Sequence, residues 1–69
     1  MGTIQVRVNG DATAVPEGST VLDLLALLEL DPERVAIELD RRIVKKTEWQ
    51  GRVLGEGAEL EIVQFVGGG

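Results

Sequence analysis

The sequence predicts an α+β fold: a small mixed sheet covered on one face by a single α-helix. Three observations carry this. Residues 3 to 8, TIQVRV, alternate strictly between polar and apolar, the period of a half-buried strand. Residues 18 to 30, GSTVLDLLALLEL, change to the helical period of about 3.6. ELEIVQFV, near the end, is extended again. One amphipathic helix among several short strands must bury its stripe on a sheet, and two layers are the economical solution.

The elements follow in order. In the first strand Ile4, Val6 and Val8 share one face, and Thr3, Gln5 and Arg7 the other. Asn9-Gly10 tolerates the positive φ values of a type I′ turn, so DATAV before Pro16 returns as the second strand of a hairpin. Thr20 with Asp23 fits a capping box. Val21, Leu24, Leu25 and Leu28 then form a continuous apolar face that Leu22 and Leu27 widen, and Asp31-Pro32 stops the helix. VAIEL puts Val35, Ile37 and Leu39 on one face. Asp40-Arg41-Arg42 is a polar break, and Ile43-Val44 a short extended piece. Residues 45 to 57 hold three glycines and no sustained period, which predicts a loop with one helical turn near Trp49. The last strand has Leu60 and Ile62 in phase.

Composition narrows the function. Sixty-nine residues make one domain, and a chain this short buries only about 60% of its unfolded surface. There is no cysteine, so neither a disulfide nor a thiol nucleophile exists, and no histidine to shuttle protons at neutral pH. Self-sufficient catalysis is not expected, nor is a metal site. The net charge of −5 opposes phosphate-tracking binding to nucleic acid and favours a partner with a basic surface. No apolar run approaches the roughly 18 residues of a membrane span, and the start, MGTIQVRV, is not a signal peptide. The expectation is a soluble cytoplasmic monomer.

Several constellations have ordinary explanations. Neither GRVLGEG nor VNGDATA supplies the lysine and hydroxyl of a phosphate loop. Glu59/Glu61 and Glu38/Asp40, spaced i, i+2, suit a solvated sheet face better than the carboxylate pair of a glycosidase. Trp49 is either a partner anchor or a plug over the core, and the plug is the preferred reading. The last strand contains a conflict of phase. With Leu60 and Ile62 inward, Val63 and Phe65 point outward with Glu59 and Glu61 and would suit partner docking; alternatively, a bulge near Gln64 returns Phe65 to the core.

Three glycines end the sequence. Without Cβ they can thread a narrow channel, and extended they reach about 10 Å. A terminal carboxylate on such an arm can enter a deep active site while the domain stays outside. As an anion it can attack the α-phosphate of ATP; once adenylated, it can accept sulfur as a thiocarboxylate. That chemistry belongs to a partner enzyme.

The elements V-x-V-N-G, G-S-T-V-x-D-L-L, D-P-x-R-V-A-I-E, T-E-W and L-x-x-G-x-x-L-E-I-V-x-F-V-G-G-G occur in this order along essentially the whole chain. The sequence resembles the ThiS family, ubiquitin-like β-grasp sulfur carriers of thiamine biosynthesis. The resemblance implies a β-grasp domain over 1–66, with four to five strands, and a flexible glycine tail over 67–69. It implies a non-enzymatic carrier that binds no cofactor itself. Gly69 would be adenylated by an E1-like activating enzyme of the ThiF type, which uses ATP and Mg. A desulfurase or relay protein would donate the sulfur. A thiazole synthase of the ThiG type would then spend it on the thiazole ring, built from a deoxyxylulose phosphate-derived substrate. Gly68 and Gly69 match the family's terminal pair, with Gly67 less diagnostic; Phe65 and Val66 precede the tail where the family meets its partners. The chain departs from the family at Leu39-Asp40-Arg41-Arg42, where a glycine-containing tight turn is common. Alternatives are a carrier for molybdopterin synthesis, a protein modifier joined to lysines through Gly69, and an adaptor that uses the helix or the Val63/Phe65 face and has no use for the tail.

Overall fold

The computed structural model describes residues 2–66. Strands β1 (Thr3–Val8) and β2 (Asp11–Pro16) form the expected hairpin, joined by a two-residue turn in which Asn9 and Gly10 have φ of 51° and 88°. Helix α1 (Val21–Leu27) follows, then β3 (Val35–Leu39), β4 (Arg42–Ile43) and β5 (Glu59–Gln64), with short 3₁₀ turns at Pro32–Arg34 and Lys46–Glu48. The strand order is β2-β1-β5-β3-β4, with β1 and β5 parallel and the other pairs antiparallel. One helix on a five-stranded mixed sheet is the α+β arrangement that the periodicities predict.

Seven residues of helix are too few to persist alone in water, so α1 depends on its cap and its packing. The capping box forms: the Asp23 amide donates to Thr20 Oγ1 at 3.1 Å, and the Thr20 amide to Asp23 Oδ2 at 2.9 Å. Val21, Leu24 and Leu25 are completely buried against Val6, Val15, Ile37 and Leu60. Each large aliphatic side chain buried this way contributes about 1.5–3 kcal/mol.

The helix ends earlier than Asp31-Pro32. Glu29 takes a left-handed φ of 58°, its amide donates to the Ala26 carbonyl, and the Leu30 amide donates to the Leu25 carbonyl. This pair of bonds is a Schellman closure. It turns the chain directly after Leu28, which is only partly buried. Leu22 and Leu27 lie within the helix but off its buried face, and stay exposed instead of widening the buried stripe.

Residues 45 to 57 wrap around Trp49, which is 3% exposed and donates from Nε1 to the Val44 carbonyl at 2.8 Å. Trp49 is thus the plug over the core, and its ring is not available as a partner anchor. The segment is fixed to the helix start by amides of Val21 and Leu22 donating to the carbonyls of Arg52 and Trp49. Ser19, the buried polar residue of the core, donates its hydroxyl to the Pro16 carbonyl.

Candidate functional site

The glycines of interest, Gly67, Gly68 and Gly69, lie outside the described residues, as does the predicted tail as a unit. What the structure supplies is the strand that leads to them. β5 lies at the centre of the sheet, parallel to β1 through Arg7↔Glu59 and Val8↔Leu60, and antiparallel to β3 from Val35↔Gln64 to Leu39↔Leu60. A strand paired on both sides is rigid because its backbone groups are bonded in two directions.

Both hairpin turns add side-chain clamps to it. Asn9 presents its amide to Ile62 as a second peptide group would: Nδ2 donates to the Ile62 carbonyl at 3.1 Å, and the Ile62 amide donates to Oδ1 at 2.7 Å. The Asn9 backbone amide also donates to the Leu60 carbonyl. On the other side, Asp40 exchanges two bonds with Glu59, its amide donating to the Glu59 carbonyl and its Oδ1 accepting from the Glu59 amide. Asp40 therefore belongs to a turn and not to the carboxylate face expected with Glu38. The turn that lacks the customary glycine is still tight, with Asp40 and Arg41 at φ of 51° and 71°.

Replacing Asn9 with glycine keeps the positive φ and removes only the clamp. Leaving two partly buried groups of Ile62 without partners costs about 1–3 kcal/mol. We expect Asn9→Gly to lower the denaturant midpoint accordingly and to accelerate hydrogen exchange at Ile62 beyond the global loss. Unchanged Ile62 exchange would show that the clamp contributes nothing.

β5 ends at Gln64, two residues short of the predicted strand, because β3 begins at its partner Val35. One further bond, from the Phe65 amide to the Arg34 carbonyl at 2.7 Å, continues the line. Phe65 is not returned to the core: it is 53% exposed, Val63 58% and Val66 94%. Glu59, Glu61 and Val63 alternate with the buried Leu60 and Ile62 and so lie on the sheet face away from the helix. The pairing adds residues that the linear sequence does not associate with this face: Ala36 lies beside Val63, Glu38 beside Glu61, and Ile43, 76% exposed, beside Glu38. The result is an exposed apolar patch with carboxylates at its centre. Among the described residues no cluster of acidic side chains is placed to hold a metal ion. No helix among them is long and apolar enough to cross a membrane.

Residues 3–69 match the model of the ThiS family, so the match runs through all three glycines. The chain belongs to the ThiS family. This ThiS-family chain is 26% identical over 66 residues to the sulfur carrier protein ThiS of Escherichia coli, covering 96% of this chain and 100% of that one. It is 33% identical to a thiazole synthase of Magnetococcus marinus, also over 96% of its own length but only 20% of the relative's. A thiazole synthase of Paramagnetospirillum magneticum is 37% identical over the same shares. The chain thus spans about a fifth of the length of these synthases. The crystal structure of a thiamine biosynthesis protein (ThiS) from Geobacter metallireducens superposes with a TM-score of 0.81 at 28% identity, over 96% of this chain and 100% of that one. The fold is accordingly the β-grasp of ThiS, and the family is one of sulfur carriers of thiamine biosynthesis.

Proposed function

We propose that this chain carries sulfur as a thiocarboxylate on Gly69 and delivers it for thiazole formation. The observation that carries this reading is the family match extending through Gly69; the chain enters that tail from a strand clamped by Asn9 and Asp40, which ends at Gln64. The α-carboxylate attacks the α-phosphorus of ATP and pyrophosphate leaves. Hydrosulfide attack on the acyl carbon with loss of AMP gives the thiocarboxylate directly. A persulfide on the donor gives an acyl disulfide instead, and a thiol must then cleave its S–S bond, being oxidised to a disulfide as the thiocarboxylate leaves. The chain contributes the acyl group and its presentation; a ThiF-type E1-like enzyme supplies ATP, Mg and the catalytic groups, and a desulfurase or relay protein the sulfur.

A ThiG-type thiazole synthase is the consumer in this scheme. It is supported by two synthases that contain a stretch similar to nearly all of this chain. Glu59, Glu61, Val63, Phe65 and Val66 form the docking surface, with Gly67 and Gly68 as the slim connection. The exposure of Val63, Phe65 and Val66 directly before the tail suits docking by a carrier and by an adaptor alike; the family match running through the glycines favours the carrier, because the adaptor has no use for them.

Protein purified from cells grown without thiamine is expected to contain a fraction heavier by the difference between sulfur and oxygen, confined to the C-terminal peptide. Incubation with the activating enzyme, ATP and a sulfur source should increase that fraction. Covalent ladders on other proteins, with no mass increase on the free chain, would replace the carrier with a protein modifier.

A further inference from the structure

Resting on the carrier reading above, we propose that Asp31 is a positioning residue for the Gly69 acyl group, because it holds the Pro32–Arg34 turn whose last carbonyl pins the base of the tail. The Phe65 amide donates to the Arg34 carbonyl at 2.7 Å, and Val66 beyond it is 94% exposed. Among the described residues this is the backbone bond nearest the C-terminus. In an antiparallel ladder the pairs that exchange bonds alternate along the strand, and this bond keeps the phase set by Asp40 and Glu59 at the other end of β3 and β5. The next residue behind Phe65 to face β3 with its amide is therefore Val63. Without the pin, the arm beyond the last anchor would grow from four residues, 66–69, to six, 64–69.

The acceptor lies outside β3, which begins at Val35, so its place is set by the turn's own bonds. Asp31 supplies two of them: Oδ1 accepts from the Glu33 amide at 2.9 Å, and its carbonyl accepts from the Arg34 amide at 2.9 Å. Pro32 fixes φ at the first position of the turn. Arg34 Nε stands 3.7 Å from Asp31 Oδ2, but both side chains are more than half exposed and such a pair contributes little. The acceptor oxygen, not the charge, is the effective part of Asp31. The Asp31-Pro32 pair, which does not end the helix, thus shapes the approach to the tail. A narrow active site must take the arm in one extended conformation, and each residue left free beforehand has to be ordered on binding, at a cost on the order of tenfold in affinity. A segment already held avoids that cost. Once bound, the tail is the same in either case, so losing the pin should raise KM for the carrier and leave kcat alone.

The test compares Asp31→Ala and Asp31→Asn with the parent chain, by amide hydrogen exchange and by steady-state thiocarboxylate formation with a ThiF-type activating enzyme, ATP and a sulfur source. Asp31→Ala should speed exchange at Phe65 more than at Ile62 and raise KM about tenfold at unchanged kcat, while circular dichroism shows it folded. Asp31→Asn keeps the acceptor oxygen and should restore both. A merely structural role would shift the denaturant midpoint and move neither ratio. Phe65→Pro against Phe65→Ala repeats the comparison from the donor's side, since both lose the ring and only proline lacks the amide; the proline form should have the higher KM. The Asp31 variants keep the ring and decide the matter if neither Phe65 form is converted. Faster exchange at Phe65 with unchanged KM overturns the proposal, as does a fall in kcat alone or an Asp31→Asn form as impaired as Asp31→Ala. Unchanged Phe65 exchange in Asp31→Ala removes Asp31 from the role. A parent chain that gains no sulfur mass instead removes the carrier reading itself.

Discussion

Adding one alanine after Gly69 is expected to abolish thiocarboxylate formation while leaving the fold intact. The extension moves the reactive carbonyl outward by about 3.3–3.6 Å and attaches a Cβ beside it. A misplacement of about 1 Å at a reacting centre can cost a hundredfold in rate, so a shift several times larger should put the product below detection. Folding is insulated from the change: β5 ends at Gln64, and the Phe65 amide makes the last backbone bond described. Intact mass after incubation with activating enzyme, ATP and a sulfur source measures the first claim, and circular dichroism with a denaturant midpoint the second. Extension by glycine in place of alanine separates the two causes, since it displaces the carbonyl without a Cβ. If the alanine form is converted at the parental rate, the Gly69 acyl group is not the carrier atom and the proposal fails.

Much of this architecture was legible because the relevant signals are local. The period of two in Thr3–Val8, the Asn9-Gly10 turn and the Thr20/Asp23 box each fix a conformation within a few residues, and the structure shows each of them. The phase of Leu60 and Ile62 likewise sends Val63 outward, and no bulge returns Phe65 to the core. The helix end was not legible in the same way. Glu29 in a left-handed conformation carries no sequence mark, unlike the glycine usual at that position, so the leucine run appeared to continue to Leu30.

The composition of the outer face was hidden for a different reason. Glu38 and Glu61 are 23 residues apart, and only the register of β3 on β5 makes them partners. Ile43 joins the same face through β4, a strand of two residues. Asn9 and Asp40 appeared as a turn former and half of a carboxylate pair, whereas their second role, holding β5, depends on the crossover that brings both hairpin tips to one strand. The tail itself rests on the sequence and the family match.

Trp49→Ala should have the largest effect on stability. Removing a buried aromatic side chain typically costs about 3–5 kcal/mol, and a domain of this size holds on the order of 3–10 kcal/mol in total. Trp49 is 3% exposed, and its ring supports Val44, Leu54 and the helix in one cluster. Its Nε1 also satisfies the Val44 carbonyl, and its own carbonyl accepts from Leu22. The alanine variant is therefore expected to be largely unfolded, or to unfold at very low denaturant. Trp49→Phe keeps most of the apolar volume but leaves the Val44 carbonyl without its donor, at a cost of about 1–3 kcal/mol. Far-UV circular dichroism must supply the readout, because Trp49 is the only tryptophan and the chain has no tyrosine. The pair of variants also separates the two readings of this residue. A partner anchor would give an alanine variant that folds normally and fails only in binding. A core plug gives graded loss of the fold, with the phenylalanine variant still accepted by the activating enzyme wherever it remains folded. Normal stability in Trp49→Ala would overturn the assignment of Trp49 to the core.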